Sequence, residues 1–168
     1  SSPVELDHDM PNIGRCCAMH FETAVRGGLL VVNVHLEDGG MSENNWRMLG
    51  GIGNTLRASS VPWILCGDWN MTPEELASLG WVQSVGGQIR HPRQHTHRCS
   101  VGDSRCLDFF VVDARIAERI VQVTAHSEAP TSPHMPVSLW IDMNVRSCEG
   151  EALQRRKAIR SDPPIGPR

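Results

Sequence analysis

Residues 61–76 constrain the fold more than any other part of the chain. They read VPWILCGDWNMTPEEL, so an apolar run is followed by a polar turn and then by a helix start. A run of this length and composition predicts a buried strand at 61–66. In the next element Thr72 can act as the N-cap, Pro73 suits the first helical position, and Glu75 completes a capping box. The segment therefore predicts a core strand and a helix with polar side chains between them.

Further strands and one long helix are predicted on either side of this segment. Residues 17–21 and 28–36 are apolar runs separated by glycine, which is typical of a two-stranded hairpin. Residues 43–58 place Trp46 and later apolar side chains on one helical stripe behind Ser42, which can cap the helix. Residues 83–106 read as a long irregular connection, and such loops are usually functional. Three more strands are predicted, at 107–112, 120–125 and 137–143.

The composition is that of one ordinary domain. The 168 residues are 40% apolar, and the six cysteines are irregularly spaced, so we expect a core without disulfides and thiols in the reduced state. The longest apolar run, around residues 29–32, is far shorter than the roughly 20 residues of a membrane span. No secretory signal pattern opens the chain, which favours an intracellular location.

The chain divides into three parts. Residues 1–15 lack periodicity and predict an irregular lead-in, residues 16–145 hold the predicted elements, and residues 146–168 form a polar, basic tail that we expect to be disordered. Residues 1–145 carry 10 basic and 16 acidic side chains, which argues against a broad basic surface for nucleic acid on the body. Because the chain begins at Ser1 without an initiator Met, it reads as a fragment.

Polar residues stand at the ends of four predicted strands, where a rigid element meets a loop and where catalytic groups are commonly placed. Taken singly, each is more often a turn or capping group. Their order along the chain indicates a shared site. They are His35, Asp68 with Asn70, Asp108 and His134.

Four motifs around these residues carry a family resemblance. They are VVNVHL at 31–36, ILCGDWNMTPEEL at 64–76, CLDFFVV at 106–112 and SPHMPVSLWI at 132–141. In content and order they resemble the endonuclease/exonuclease/phosphatase superfamily, to which pancreatic deoxyribonuclease and the abasic-site endonucleases belong. The resemblance implies an α/β (α+β) fold, a two-sheet β-sandwich flanked by helices. It covers about residues 17–143 and corresponds to the second half of the family domain, with the amino-terminal half absent.

The same resemblance implies hydrolysis of a phosphodiester with Mg²⁺, or with Mn²⁺ as an alternative ion. It makes His134 the general base on water and Asp108 the group that orients this imidazole. Asp68 and Asn70 would contact the phosphate, with Asp68 also the metal ligand, and His35 would act on the leaving-group side. Nucleic acid is the favoured substrate, ahead of inositol phosphates and sphingolipids. The sequence leaves the oligomeric state open.

Two departures from the family pattern favour an alternative, a catalytically inactive fragment that serves as a scaffold or binding remnant. The amino-terminal half, which supplies a metal-binding Glu in the family, has no counterpart ahead of Ser1. Pro133 also stands where the family has an Asp beside the general base. Either change reduces the negative charge available for a metal ion.

The loop at 83–106 allows two interpretations. Arg98 and Arg105 can contact substrate phosphate, because a guanidinium matches phosphate oxygens. The less favoured interpretation is a zinc site, since imidazole and thiolate groups at short spacing suit tetrahedral coordination. Its ligands would come from His91, His95, His97, Cys99 and Cys106.

The tryptophans could suggest stacking on bases, but their positions favour packing. Trp46 and Trp63 fall on apolar faces of predicted elements and are expected in the core. Trp69, within the GDWN turn, is expected to pack as well.

Overall fold

A computed structural model describes residues 1–6, 13–22, 27–98, 102 and 104–142. Its main sheet has six strands in the order β1-β2-β3-β4-β6-β5. They are β1 (Ser2–Val4), β2 (Cys16–Phe21), β3 (Leu29–His35), β4 (Trp63–Asp68), β5 (Gly87–Arg90) and β6 (Asp108–Asp113). A second sheet pairs β7 (Ile120–Ala125) with β8 (Val137–Ile141). The helices are α1 (Glu43–Ala58), α2 (Pro73–Ser78) and α3 (Trp81–Ser84).

The connections follow from the local sequence. β2 and β3 form the predicted antiparallel hairpin, whereas β3 and β4 are parallel and need a crossover, which α1 provides. The Ser42 side chain accepts a hydrogen bond from the Asn45 N–H and so caps α1, as predicted. Thr72 and Glu75 form the predicted capping box of α2. These local signals fix where each helix begins.

The two faces of the main sheet are covered differently. On one face, apolar residues of the central strands, including Val32, Leu65 and Phe109, are buried beneath the helices. On the other face, a smaller cluster around Ile64 and Val112 packs against half-buried side chains of β7 and β8. The fold is therefore mixed α+β, with a large sheet and a smaller one, as the sequence predicts. Within the described residues, no helix is long and apolar enough to cross a membrane.

Several predictions for individual segments are wrong. The lead-in at 1–15 contains β1, a short edge strand that pairs with β2, and a 3-10 turn at Ile13–Arg15. The irregular connection at 83–106 contains β5, which pairs with β6. Both strands are too short to show periodicity, so only pairing with a neighbour identifies them. The tail at 146–168 lies outside the described residues.

The three tryptophans predicted to pack in the core differ in how far they are buried. Trp63 is 2% exposed and Trp69 is fully buried, as predicted, but the prediction for Trp46 is wrong because it is 45% exposed. The buried stripe of α1 runs through Leu49, Ile52 and Leu56, and Trp46 lies beyond the edge of that stripe. Helical spacing alone therefore predicted a wider buried face than the helix has.

Candidate active site

The register of three neighbouring strands places three polar side chains in one row. His35 ends β3, Asp68 ends β4, and Asp108 begins β6. His35 is the Cα partner of Asp68 in the parallel pair, and Asp68 is the Cα partner of Asp108 in the antiparallel pair. Residues at the same register position lie side by side on neighbouring strands. Sheet pairing thus brings together residues that are far apart in the sequence.

His134 reaches this row from the connection between β7 and β8. Its Nδ1 lies 2.9 Å from Oδ2 of Asp108, and its Nε2 lies 3.7 Å from Oδ2 of Asp68. When Nδ1–H donates to the Asp108 carboxylate, Nε2 is left as the acceptor nitrogen. The free nitrogen of the imidazole is therefore the one that faces the second carboxylate.

Asp108 is half-buried beneath His134. Burial raises the pKa of Asp108 above its ordinary value, and hydrogen bonds with His134 and Thr96 offset part of that increase. The nearby negative charge of Asp68 also raises it. The His134–Asp108 pair is consequently a partly desolvated hydrogen bond, which holds an imidazole more firmly than an exposed one.

The two carboxylate oxygens of Asp68 have different surroundings. Oδ1 accepts a hydrogen bond of 3.0 Å from the backbone N–H of Asn70. Oδ2 faces two imidazoles, at 3.6 Å from Nε2 of His35 and 3.7 Å from Nε2 of His134. These separations are too long for hydrogen bonds, and the carboxylate attracts either imidazole only when that imidazole is protonated. One oxygen fixes the turn, and the other points into the group of site residues.

The GDWN turn that carries Asp68 is held by its neighbours. Asn70 adopts a positive φ of 49°, and its side-chain Nδ2 donates to the carbonyl of Leu36 at 2.8 Å. The indole of Trp69 lies beneath the turn, where it stacks on Phe109 at 5.1 Å and donates to the Phe109 carbonyl at 3.0 Å. Asn70 thus joins the ends of β3 and β4, and Trp69 fixes the turn to β6.

A cleft of about 430 Å³ opens over this group. It lies on the face of the main sheet nearer to β7 and β8, and both polar and apolar residues line it. The polar ones include Asn33, Asp68, Asp108 and His134, and the apolar ones include Phe110, Met135 and Val137. A site of this kind presents a few oriented polar groups against an apolar wall.

The chemistry of the donor atoms indicates which residue fits a metal ion. Asp68, Asp108 and His134 each offer one ligand atom, and these atoms all lie within 4.8 Å of one another. The ligand atoms of Asp108 and His134 are already hydrogen-bonded to each other. Oδ2 of Asp68 is thus the oxygen that fits a hard divalent cation, which takes one or two carboxylates and retains several waters.

The zinc interpretation gains no support from the part of the chain that is described. Among the described residues, Asp68, Asp108 and His134 are close enough to share a metal ion, whereas no three of His91, His95, His97 and Cys106 are. Cys99 lies outside the described residues. The four described cysteines, Cys16, Cys17, Cys66 and Cys106, are free thiols, in line with the expected reduced state.

The two arginines predicted to bind substrate have other partners. Arg98 donates to the carbonyl of Ser127 at 2.6 Å, and Arg105 forms an ion pair of 2.6 Å with Glu75. Arg105 also borders a separate cavity of about 370 Å³ that Asn70 helps to line. The structure therefore brings His35, Asp68, Asp108 and His134 together, with Asn70 attached. Among the described residues, no side-chain hydrogen bond or ion pair joins either arginine to that group.

Sequence reasoning missed residues that hold the site in place. Thr96 is fully buried, and its Oγ1 accepts from the backbone N–H groups of Leu107 at 2.9 Å and Asp108 at 2.8 Å. Arg15 donates to the carbonyls of His35 at 2.8 Å and Leu36 at 3.0 Å. Neither residue belongs to a periodic pattern, so the sequence carries no signal for these contacts.

Comparison with known proteins finds similarity in structure only. No protein-family model matches the chain, and no curated protein matches it. The 3′ phosphatase NExo from Neisseria, solved with a product DNA hairpin, aligns with a TM-score of 0.61 at 17% identity, over 84% of this chain and 72% of that one. Cytolethal distending toxin from Actinobacillus actinomycetemcomitans aligns with a TM-score of 0.61 at 21% identity, over 84% and 58%. The AP endonuclease LMAP from Leishmania major gives 0.57 at 18% identity, over 76% and 54%. The chain spans little more than half the length of the latter two.

Proposed function

We propose that this chain, which has the deoxyribonuclease-I-like fold of its structural neighbours, is a divalent-metal-dependent phosphodiester hydrolase that acts on nucleic acid. The observation that carries the proposal is the 2.9 Å hydrogen bond between His134 and Asp108, with Nε2 of His134 left facing Asp68. A carboxylate, an imidazole and an open cleft in this order match what general-base activation of water requires.

In the proposed reaction His134 Nε2 takes a proton from the attacking water. Asp108 holds the imidazole through Nδ1 and stabilises the positive charge that the imidazole acquires. Asp68 lies on the acceptor side of the imidazole, with its Oδ2 3.7 Å from Nε2. His35, whose Nε2 lies 3.6 Å from Asp68 Oδ2, would act on the leaving-group side.

The same carboxylate, Asp68, would hold Mg²⁺, or Mn²⁺ in its place. A bound divalent ion supplies neutralisation of the charge on the phosphoryl oxygens. Asn70 holds the Asp68 carboxylate through its backbone N–H. Beside Asp68, it would contact the phosphate. Pro133, in place of a family Asp, leaves this part of the site with one acidic group fewer than the family pattern.

Nucleic acid is the proposed substrate because the structural neighbours include a phosphatase solved with product DNA and an AP endonuclease. The net charge of the chain is −3, so long-range attraction to a polyanion would be weak. Arg98 and Arg105 remain the proposed substrate contacts, and binding would exchange their present partners, Ser127 and Glu75, for phosphate oxygens.

Nicking of supercoiled plasmid tests the proposal directly. The 168-residue chain should nick DNA with Mg²⁺ and not with EDTA, and His134→Ala should lower the rate by about 10²- to 10⁴-fold, the usual contribution of a general base. His20→Ala is the matched control, because His20 lies at the far end of β2 and should leave the rate unchanged. A His134→Ala rate equal to that of the wild type contradicts the proposed base. Nicking by none of the proteins supports the alternative of a non-catalytic scaffold.

Metal binding can be tested without turnover. Paramagnetic Mn²⁺ should broaden the imidazole NMR signals of His35 and His134, which both lie within 4 Å of Asp68 Oδ2. Asp68→Asn should abolish this broadening, because the amide lacks the charge that a hard cation requires. Unchanged broadening in that variant would exclude Asp68 as the ligand.

A further inference from the structure

A short antiparallel pairing joins the loop before β6 to the segment that carries His134. The backbone N–H of Arg98 donates to the Pro133 carbonyl at 2.9 Å, and the N–H of Met135 donates to the Thr96 carbonyl at 2.7 Å. These two bonds flank His97 and His134, which form an isolated antiparallel bridge. Partners placed between such bonds are a non-hydrogen-bonded pair, whose side chains lie closest together.

The two imidazoles meet on the same side of this bridge. Their ring centroids are 4.7 Å apart, and the planes are inclined by 63°, which is an edge-to-face arrangement. Aromatic rings favour this geometry because the positive edge of one ring lies against the negative face of the other. His97 therefore restricts the side chain that the proposed function uses as its base.

The same loop also contacts Asp108, the hydrogen-bond partner of His134. Thr96 has no exposed surface, and its hydroxyl oxygen accepts from the Asp108 N–H at 2.8 Å. Its own N–H, like that of His97, donates to the Arg105 carbonyl at 3.0 Å. Residues 96–97 are thus fixed to the strand that carries Asp108 and to the segment that carries His134.

We infer that His97 is a positioning residue, which holds the His134 imidazole so that Nδ1 stays on Asp108 and Nε2 faces the cleft. This inference rests on the proposed function, in which His134 is the base. His97 itself need not touch substrate. Its effect is on the fraction of molecules in which the His134 ring has the productive orientation.

Substitution at position 97 separates this role from a general effect on folding. His97→Ala and His97→Leu should lower kcat by about 2- to 12-fold with KM unchanged, the fold equivalent of one aromatic pair. His97→Phe should restore kcat to near the wild-type value, because the benzene ring retains the edge-to-face contact. Leucine has a side-chain volume similar to that of histidine but no ring. His97→Leu therefore still tests the ring contact if His97→Ala folds poorly.

The matched control is Gln94→Ala, an exposed position in the same loop, which should leave kcat and KM unchanged. A rise in KM without a change in kcat for His97→Ala would overturn the inference and indicate a substrate contact instead. A kcat for His97→Phe as low as that for His97→Ala would also overturn it.

An NMR measurement distinguishes failure of this inference from failure of the proposed function. The Nδ1 proton that His134 shares with Asp108 should give a slowly exchanging downfield signal in the wild type and in His97→Phe. In His97→Ala and His97→Leu the signal should broaden or disappear. This result would support the positioning role even if no protein nicks DNA, and an unchanged signal in all variants would overturn it.

Discussion

Gly67 is the backbone position at which one methyl group should do most damage to both fold and site. It lies in β4 directly before Asp68, has a φ of 147°, and pairs with Val34 of β3. A Cβ built on Gly67 would lie 1.7 Å from the Val34 carbonyl oxygen. Because this oxygen belongs to the backbone of the neighbouring strand, it cannot rotate away as a flexible side chain could.

The expected destabilisation of Gly67→Ala has two parts. A non-glycine residue held at such a φ costs about 1–3 kcal/mol. Separating two core strands to relieve the contact adds about 1–3 kcal/mol, the usual range for overpacking. The free energy of unfolding should therefore fall by about 2–6 kcal/mol, a large part of the roughly 5–15 kcal/mol typical of a domain. The shift of β4 should also displace Asp68 and lower nicking.

Urea unfolding followed by tryptophan fluorescence measures this change, because Trp63 and Trp69 are buried and should respond to unfolding. Gly80→Ala is the matched control. Gly80 has a φ of 71° but no atom within 4 Å of the added Cβ, so the loss there should be only about 1–2 kcal/mol. If Gly67→Ala costs no more than Gly80→Ala, the close approach of β3 and β4 is not what requires glycine.

Two further predictions concern titrating groups. Burial raises the pKa of Asp108 above its ordinary 3.8, so its contribution to stability is present below that value and is lost as the pH rises through the folded-state pKa. Asp108→Asn should lack this loss, so its stability relative to the wild type should increase from about pH 4 upward, by at most about 1.4 kcal/mol per pH unit. Urea unfolding across pH measures this difference. A difference that stays constant with pH would contradict the raised pKa of Asp108. Burial also raises the thiol pKa of Cys16 to about 12 and of Cys66 and Cys106 to about 11, whereas Cys17 is exposed. Of these four, Cys17 should be alkylated first by iodoacetamide at neutral pH, as followed by peptide mass mapping, and earlier modification of Cys66 would contradict the burial argument.

Strong local signals in the sequence predicted the elements around the site well. The capping box of Thr72 and Glu75, the Ser42 cap and the β2–β3 hairpin are encoded by near neighbours, and all three form as predicted. Edge strands are different, because β1 and β5 are defined by the strands beside them rather than by their own composition. Trp46 was misplaced for a similar reason, since its helix shows where the apolar stripe lies but not how much of it the sheet covers.

The sequence by itself determined that His35, Asp68 and Asp108 stand at strand ends and that His134 precedes the last strand, because strand ends follow from local apolar runs. Only the tertiary structure decided that these residues meet. The register of β3, β4 and β6 aligns the first three, and the bridge between His97 and His134 brings in the fourth. Pairing between segments that are far apart in the chain depends on packing against a shared core. The free energy of that packing comes from contacts among several segments, so no single segment predicts it.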